Sequence, residues 1–252
     1  ENYLQMEEYK KSKKIYELFN KKNTIFYWHS VKKISLINSD LENETKALSF
    51  LINNFNNIKD PNLKIIYDVA NLYRGFGKFK ESIDYYTKVI NILDNKHPSY
   101  ADILYRRGAS YERIEMWENS DKDLLESLKI NPDDPHVLNY LAYSWLERNY
   151  KIDEAMDMLL LAHNKRPNDP YITDSVGWAY YLQGDYVKAK KFIRQAIKLL
   201  PSDPIINDHY ADILWKLNKP LQANYFWKYV LNLEDIKPET KKKIKNKLIF
   251  GV

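Results

Sequence analysis

Apolar and small residues recur along the chain at spacings of three and four, as in Ala189, Phe192, Ile193 and Ala196, the spacing of one helix face. Three near-identical polar marks interrupt the pattern: Pro132-Asp133-Asp134-Pro135, Pro167-Asn168-Asp169-Pro170 and Pro201-Ser202-Asp203-Pro204. They stand 35 and then 34 residues apart (167 − 132 and 201 − 167). In each, the first proline stops a helix and the aspartate caps the next. The second proline takes the first turn, where a missing N–H costs nothing. A fixed period of this size predicts stacked supersecondary units, each of two amphipathic helices.

The clearest unit covers 170–203. Gly177, Ala189 and Ala196 are small where two helices must approach, and Val176, Tyr180, Phe192 and Ile193 fill the space around them. Gly184-Asp185-Tyr186 makes the turn, with Gly184 free to take positive φ. The same frame runs through 135–169 (Ala142, Trp145, Ala155, Leu159, Ala162), with one extra residue at Asn149-Tyr150-Lys151, and through 204–237 (Ala211, Leu214, Ala223, Trp227, Val230). It continues upstream in 101–134 (Gly108, Tyr111, Ser120, Leu124, Ser127) and in 63–100 (Ala70, Tyr73, Gly77, Ser82, Tyr86, Val89), the latter with a four-residue insertion around His97-Pro98. Residues 1–62 read as degenerate units: Val31, Ala47 and Leu51 are in frame within 28–62, and Ser12, Tyr16 and Phe19 within 6–25. Residues 238–252 read as a capping helix in which Ile244 and Leu248 cover the last unit while the lysines face water.

This order of small and large residues resembles the tetratricopeptide repeat. The resemblance implies an all-α fold, an α-solenoid of helix-turn-helix repeats wound into a right-handed superhelix with a concave groove, and a function in binding proteins or peptides. In that family the first helix of each pair lines the groove, with positions two, five, nine and twelve exposed along it. Carried onto this chain, the frame gives Tyr67, Asn71 and Arg74; Tyr105, with Arg106 alongside; and Asn139 and Tyr143. The later repeats add Asp174, Trp178 and Tyr181, then Asp208, Asp212 and Trp215. Aromatic residues of this kind dominate binding hot spots. Trp178, Tyr181 and Trp215 are expected to form one patch flanked by the three aspartates, suited to a segment with Lys or Arg beside an apolar anchor. The Lys/Asn/Asn/Lys/Arg set that clamps a carboxyl terminus in chaperone-binding members is not present in any three successive repeats.

The run from Asn139 to Lys228 is similar to a narrower group. Asp174-Ser175-Val176-Gly177-Trp178-Ala179-Tyr180-Tyr181, Ile206-Asn207-Asp208-His209 and Ala211-Asp212-Ile213-Leu214-Trp215 resemble segments of proteobacterial tetratricopeptide proteins. Many of these are exported or are lipoproteins, among them an outer-membrane adaptor for a carboxyl-terminal processing protease. Ala211 departs from the glycine usual there. The resemblance implies a periplasmic or outer-membrane-associated scaffold or adaptor; a cytoplasmic location is the alternative.

Composition narrows the chemistry. Six glycines are too few for an abundance of hairpins or phosphate-cradling loops. The absence of cysteine removes thiol catalysis, thiolate zinc sites and disulfides. The five histidines, His29, His97, His136, His163 and His209, lack metal-ligand spacing, and Gly75-Phe76-Gly77 lacks a third glycine and a preceding strand. No enzyme activity, metal or cofactor is therefore expected. The net charge of +5 gathers between Lys237 and Lys247 and reads as a solvated helix face, not a nucleic-acid patch. No apolar run is long enough to span a bilayer. The chain opens at Glu1 without a leader, which suggests a fragment or mature form whose targeting segment or lipid anchor lies outside it. Two other functions compete with an adaptor: a self-associating assembly module, and a non-catalytic segment of a longer enzyme.

Overall fold

The computed structural model describes residues 2–19, 26–41, 43–234 and 236–252, with the backbone alone at 2–7, 19 and 41. The expectation for Phe19 and for 20–25 therefore lies outside the described side chains. Among the described residues the chain forms helices and no strand. In order they are α1 (Asn2–Phe19), α2 (Tyr27–Leu41), α3 (Glu44–Phe55), α4 (Leu63–Gly75), α5 (Phe79–Ile92), α6 (Tyr100–Glu112) and α7 (Trp117–Ile130). There follow α8 (Pro135–Glu147), α9 (Ile152–Lys165), α10 (Pro170–Leu182), α11 (Tyr186–Leu199), α12 (Pro204–Lys216), α13 (Pro220–Leu231) and α14 (Pro238–Phe250). The chain divides into two compact units, residues 1–127 and 128–252.

The proline–aspartate marks act as their chemistry requires. Asp134, Asp169 and Asp203 each accept from the two N–H groups that open the next helix, at 2.9–3.2 Å, and a proline stands in each first turn. The turns inside the pairs share one geometry. Gly77, Glu115, Asn149, Gly184 and Asn218 all have positive φ, between 53° and 81°. The N–H that follows each reaches back five residues, to the carbonyls of Tyr73, Tyr111, Trp145, Tyr180 and Leu214. This is a Schellman stop, repeated in every pair from α4/α5 to α12/α13. Only two of the five positions are glycine, so the turn is imposed by packing as much as by local preference.

Packing supplies the stability, because helices of 12–14 residues are marginal alone. In the second unit Ala142, Ala155, Leu159 and Ala162 are fully buried, as are Val176, Ala189, Ile193, Ala196, Ala211, Ala223, Trp227 and Val230. Each large apolar side chain among them contributes about 1.5–3 kcal/mol by leaving water. The small residues set the approach. A Cβ added at Gly177 would lie 2.6 Å from Ile193 Cδ1 and 3.1 Å from its backbone nitrogen. The first helices α8, α10 and α12 also touch one another in sequence, forming one layer, with the second helices α9, α11 and α13 as the other.

In the first unit, Val31, Ala47, Leu51, Val69, Tyr73 and Phe76 pack together between α2, α3 and α4. Leu124 closes on Gly108, and Arg107 holds the buried Asp123 with two bonds of 2.7 and 2.8 Å. At the other end α14 packs on α13 with Ile244 fully buried and Leu248 half-buried. The expectation that its lysines all face water fails at Lys247, which is 7% exposed. Buried carboxylates opposite it supply the reason.

Candidate peptide-binding face

In the second unit the groove positions of α8, α10 and α12 fall on one layer. Trp178, half-buried on α10, lies flat between two other rings. Tyr181 stacks on it at 4.5 Å and 11°, and His209 of α12 at 4.0 Å and 13°. The indole N–H donates to Glu147 Oε1 of α8 at 2.8 Å, so three successive first helices hold one ring. Tyr186 tilts against Tyr181 from the next turn, at 5.5 Å. Burial first, then the charge of Asp212, pushes the Tyr181 hydroxyl up to about 12, so it stays a neutral donor at any physiological pH.

Behind the rings lie three buried carboxylates. Asp174 faces His209 Nδ1 at 3.0 Å. Asp208 and Asp212 share the Trp227 indole N–H, at 3.1 Å each, and both contact the Lys247 ammonium at 2.6 and 2.7 Å. Burial alone would drive the His209 imidazole to lose its proton. The Asp174 carboxylate, its hydrogen bond, and the charges of Asp208 and Asp212 outweigh that and raise its pKa. Asp212 is also raised, by burial and by Asp208, against the pull of Lys247 and His209.

Of the sequence-derived set, the structure joins Asp174 and Trp178 at His209, with Tyr181 stacked on Trp178, and joins Asp208 to Asp212 through Lys247. Tyr143 stands nearby, half-buried; burial, then Glu147 and Asp174, raise its hydroxyl pKa. Asn139 is half-buried, with its side-chain oxygen enclosed and unpaired. Trp215 is not part of the stack. It packs on Trp227 at 5.6 Å and against Gly251, where an added Cβ would lie 2.2 Å from the indole. The two acids expected to attract a ligand's cation, Asp208 and Asp212, already hold one from the chain itself.

In the first unit, Tyr67 donates to Asp102 Oδ2 at 2.6 Å, and Arg106 contacts the same oxygen at 2.8 Å. Asn71 accepts from the Tyr86 hydroxyl at 2.7 Å, and the Arg106 guanidinium lies 5.9 Å from the Tyr67 ring centre. Arg74 and Tyr105 are half-buried on the same two helices, α4 and α6. This polar network ties α4 to α6 and leaves little of its hydrogen-bonding capacity for a ligand.

Sequence reasoning missed Glu147, His209 and Lys247. For Lys247 a signal existed: it falls in the same 34-residue frame, ten positions into α14, and so faces the fifth and ninth positions of α12.

Paired helices of this period, closed by the same caps and turns, define the class: an all-α stack of tetratricopeptide-type repeats, a fold that generally mediates contacts between proteins and is typically non-catalytic. Residues 63–92 and 174–203 each match a family model described as the tetratricopeptide repeat. The chain is 33% identical over 110 residues to the TPR repeat-containing protein PA4667 of Pseudomonas aeruginosa, a match covering 44% of this chain and 19% of that protein. Human protein O-mannosyl-transferase TMTC1 is 27% identical over 111 residues, 42% of this chain and 12% of that one. The matches thus span under a fifth of these curated relatives. Among solved structures, a tetratricopeptide repeat protein from Parabacteroides merdae is similar with a TM-score of 0.75 at 15% identity, covering 97% of this chain and 94% of that one. Pseudomonas aeruginosa pilF aligns with a TM-score of 0.59 at 16% identity, over 74% and 87% of the two chains. At such identities the likeness concerns the fold. Among the described residues no helix is long and apolar enough to cross a membrane.

Proposed function

We propose that this chain is a non-catalytic scaffold or adaptor that takes a peptide segment of a partner protein on the first-helix face of its second unit, as part of a bacterial envelope complex. The observation that carries the reading is the stack of Tyr181, Trp178 and His209, held from α8, α10 and α12 with the central indole half-exposed. A rigid aromatic platform binds without losing side-chain entropy, which is what makes such rings hot spots. Because Lys247 satisfies Asp208 and Asp212, the acid at the rim is Glu147, which stays exposed. The segment that fits carries an apolar or aromatic anchor with Lys or Arg beside it. The resemblance to exported proteobacterial proteins supports the envelope setting, and the match to a Pseudomonas aeruginosa repeat protein supports a bacterial one.

The test is capture of a partner from the native bacterium, followed by affinity measurements on purified pairs. Trp178→Ala is expected to weaken binding about thirtyfold, equivalent to about 2 kcal/mol. Lys228→Ala, on the outer side of α13, should leave binding unchanged. A folded Trp178→Ala variant that binds like the parent would remove the platform from the interface and favour the assembly-module reading. Fractionation of the same cells tests the setting: recovery of the full protein in the cytoplasm alone would sink the envelope assignment.

A further inference from the structure

The outer face of α11 carries charge that the described residues answer only in part. The helix holds five cations and no acid. Lys188 pairs with Asp185 at 2.9 Å, but among the described residues Lys190, Lys191, Arg194 and Lys198 pair with no carboxylate. Lys190, Arg194 and Lys198 follow one another a helical turn apart, a row of about 12 Å at 1.5 Å per residue. With Val187, Lys191 and Gln195 they line a surface recess of about 530 Å³. Lys219, which precedes α13, adds a further positive charge close to Lys190. Burial, then the charges of Lys219 and Arg194, lower the Lys190 pKa. Like charges gathered this closely repel one another in the free protein, and an anion laid among them relieves that repulsion.

The neighbouring helices select the shape of the anion. On the same layer, α9 exposes Asp153, Glu154 and Asp157 on one side, and α13 exposes Leu221 and Tyr225 on the other, with Lys228 as its cation. A bilayer or a nucleic-acid duplex is broad enough to overlie α9 as well and would meet its carboxylates. A single polypeptide segment is narrow enough to lie along α11 alone. We propose that the outer face of α11 is a second docking surface, taking an acidic segment of a partner protein whose carboxylates repeat at one-turn spacing. It is separate from the aromatic platform and does not depend on it.

The probe is a labelled helical peptide with glutamate at every fourth position, compared with its glutamine counterpart, phosphatidylglycerol vesicles and a mixed-sequence DNA duplex. The protein variants are Lys190→Gln/Arg194→Gln/Lys198→Gln, Lys241→Gln/Lys242→Gln/Lys245→Gln on α14, and Trp178→Ala. Circular dichroism checks that each is folded, and the single Arg194→Gln variant replaces the triple if it is not. The glutamate peptide is expected to bind the parent, to weaken with added salt, and to lose about tenfold in affinity, or about 1.4 kcal/mol, on the α11 triple variant. The other two variants should bind it as the parent does. Binding of the glutamine peptide as tightly as the glutamate one would overturn the proposal, as would an equal loss on the α14 variant. So would vesicles or DNA that depend on these cations when the peptide does not bind. The Trp178→Ala arm keeps this outcome distinct from failure of the platform.

Discussion

His209 meets a ring on one face and a carboxylate at its Nδ1, and the two contacts act in the same direction on its charge. An imidazolium is attracted both by Asp174 and by the face of the Trp178 indole. Its pKa is raised in the folded protein, so the folded state holds the proton more tightly than the unfolded chain. The stabilisation is therefore full below the unfolded value of about 6.5 and is lost as pH rises through the higher folded value. The stability difference between the parent and His209→Gln, read from urea unfolding, should shrink as pH is taken from about 5.5 to about 8.5. A difference that grows with pH would mean that the histidine is held neutral. The histidine was legible only as a residue beside Asp208, because the ring it stacks on, Trp178, and the carboxylate it faces, Asp174, come from α10, 31 and 35 residues earlier in the chain (209 − 178 and 209 − 174). The left-handed turn positions divide similarly: Gly77 and Gly184 announce themselves, whereas Glu115 and Asn218 adopt the same φ under tertiary constraint.

Among the elements, α14 departs most from its expected role. Its start, its length and the apolar Ile244 were all readable as a cap. The burial of Lys247 was not, since one lysine among many in a helix carries no mark of its partners, and these lie 39 and 35 residues away. The ammonium enters a site with Asp208, Asp212 and the Trp227 indole, all at 3.1 Å or less from their partners. Removing one member of a buried ion pair leaves the others uncompensated and costs about 3–5 kcal/mol. Lys247→Met should thus destabilise the α12–α14 region by that order, seen as a lower urea midpoint for the fluorescence of Trp215 and Trp227. Adding Asp208→Asn and Asp212→Asn should restore most of the loss. If the single variant unfolds at the parent's midpoint, the lysine is not buried as described.

Across the whole chain, stability in a repeat protein is a sum of local terms plus neighbour contacts, so it varies along the sequence. The five in-frame pairs were legible because cap, turn and small-residue positions all repeat at one period. The helices before residue 63 lack those marks, and the structure there buries less: α1 leaves Ile15 and Leu18 more than half exposed. Hydrogen exchange is expected to be fastest in α1–α3 and slowest in α8–α13. Equal protection along the chain would show a single cooperative body in place of graded repeats.

One consequence of the frame concerns how such a chain can change by duplication or loss of a genetic segment. Each stretch between successive proline–aspartate marks carries its own cap, turn and small residues, so copying or deleting one leaves both new junctions chemically correct. That freedom stops at residue 238. Lys245 stands where α10 has Gly177, α12 has Ala211 and α8 has Ala142, and it points to solvent. A second helix could not approach α14 over a lysine, so new units can be inherited only on its N-terminal side.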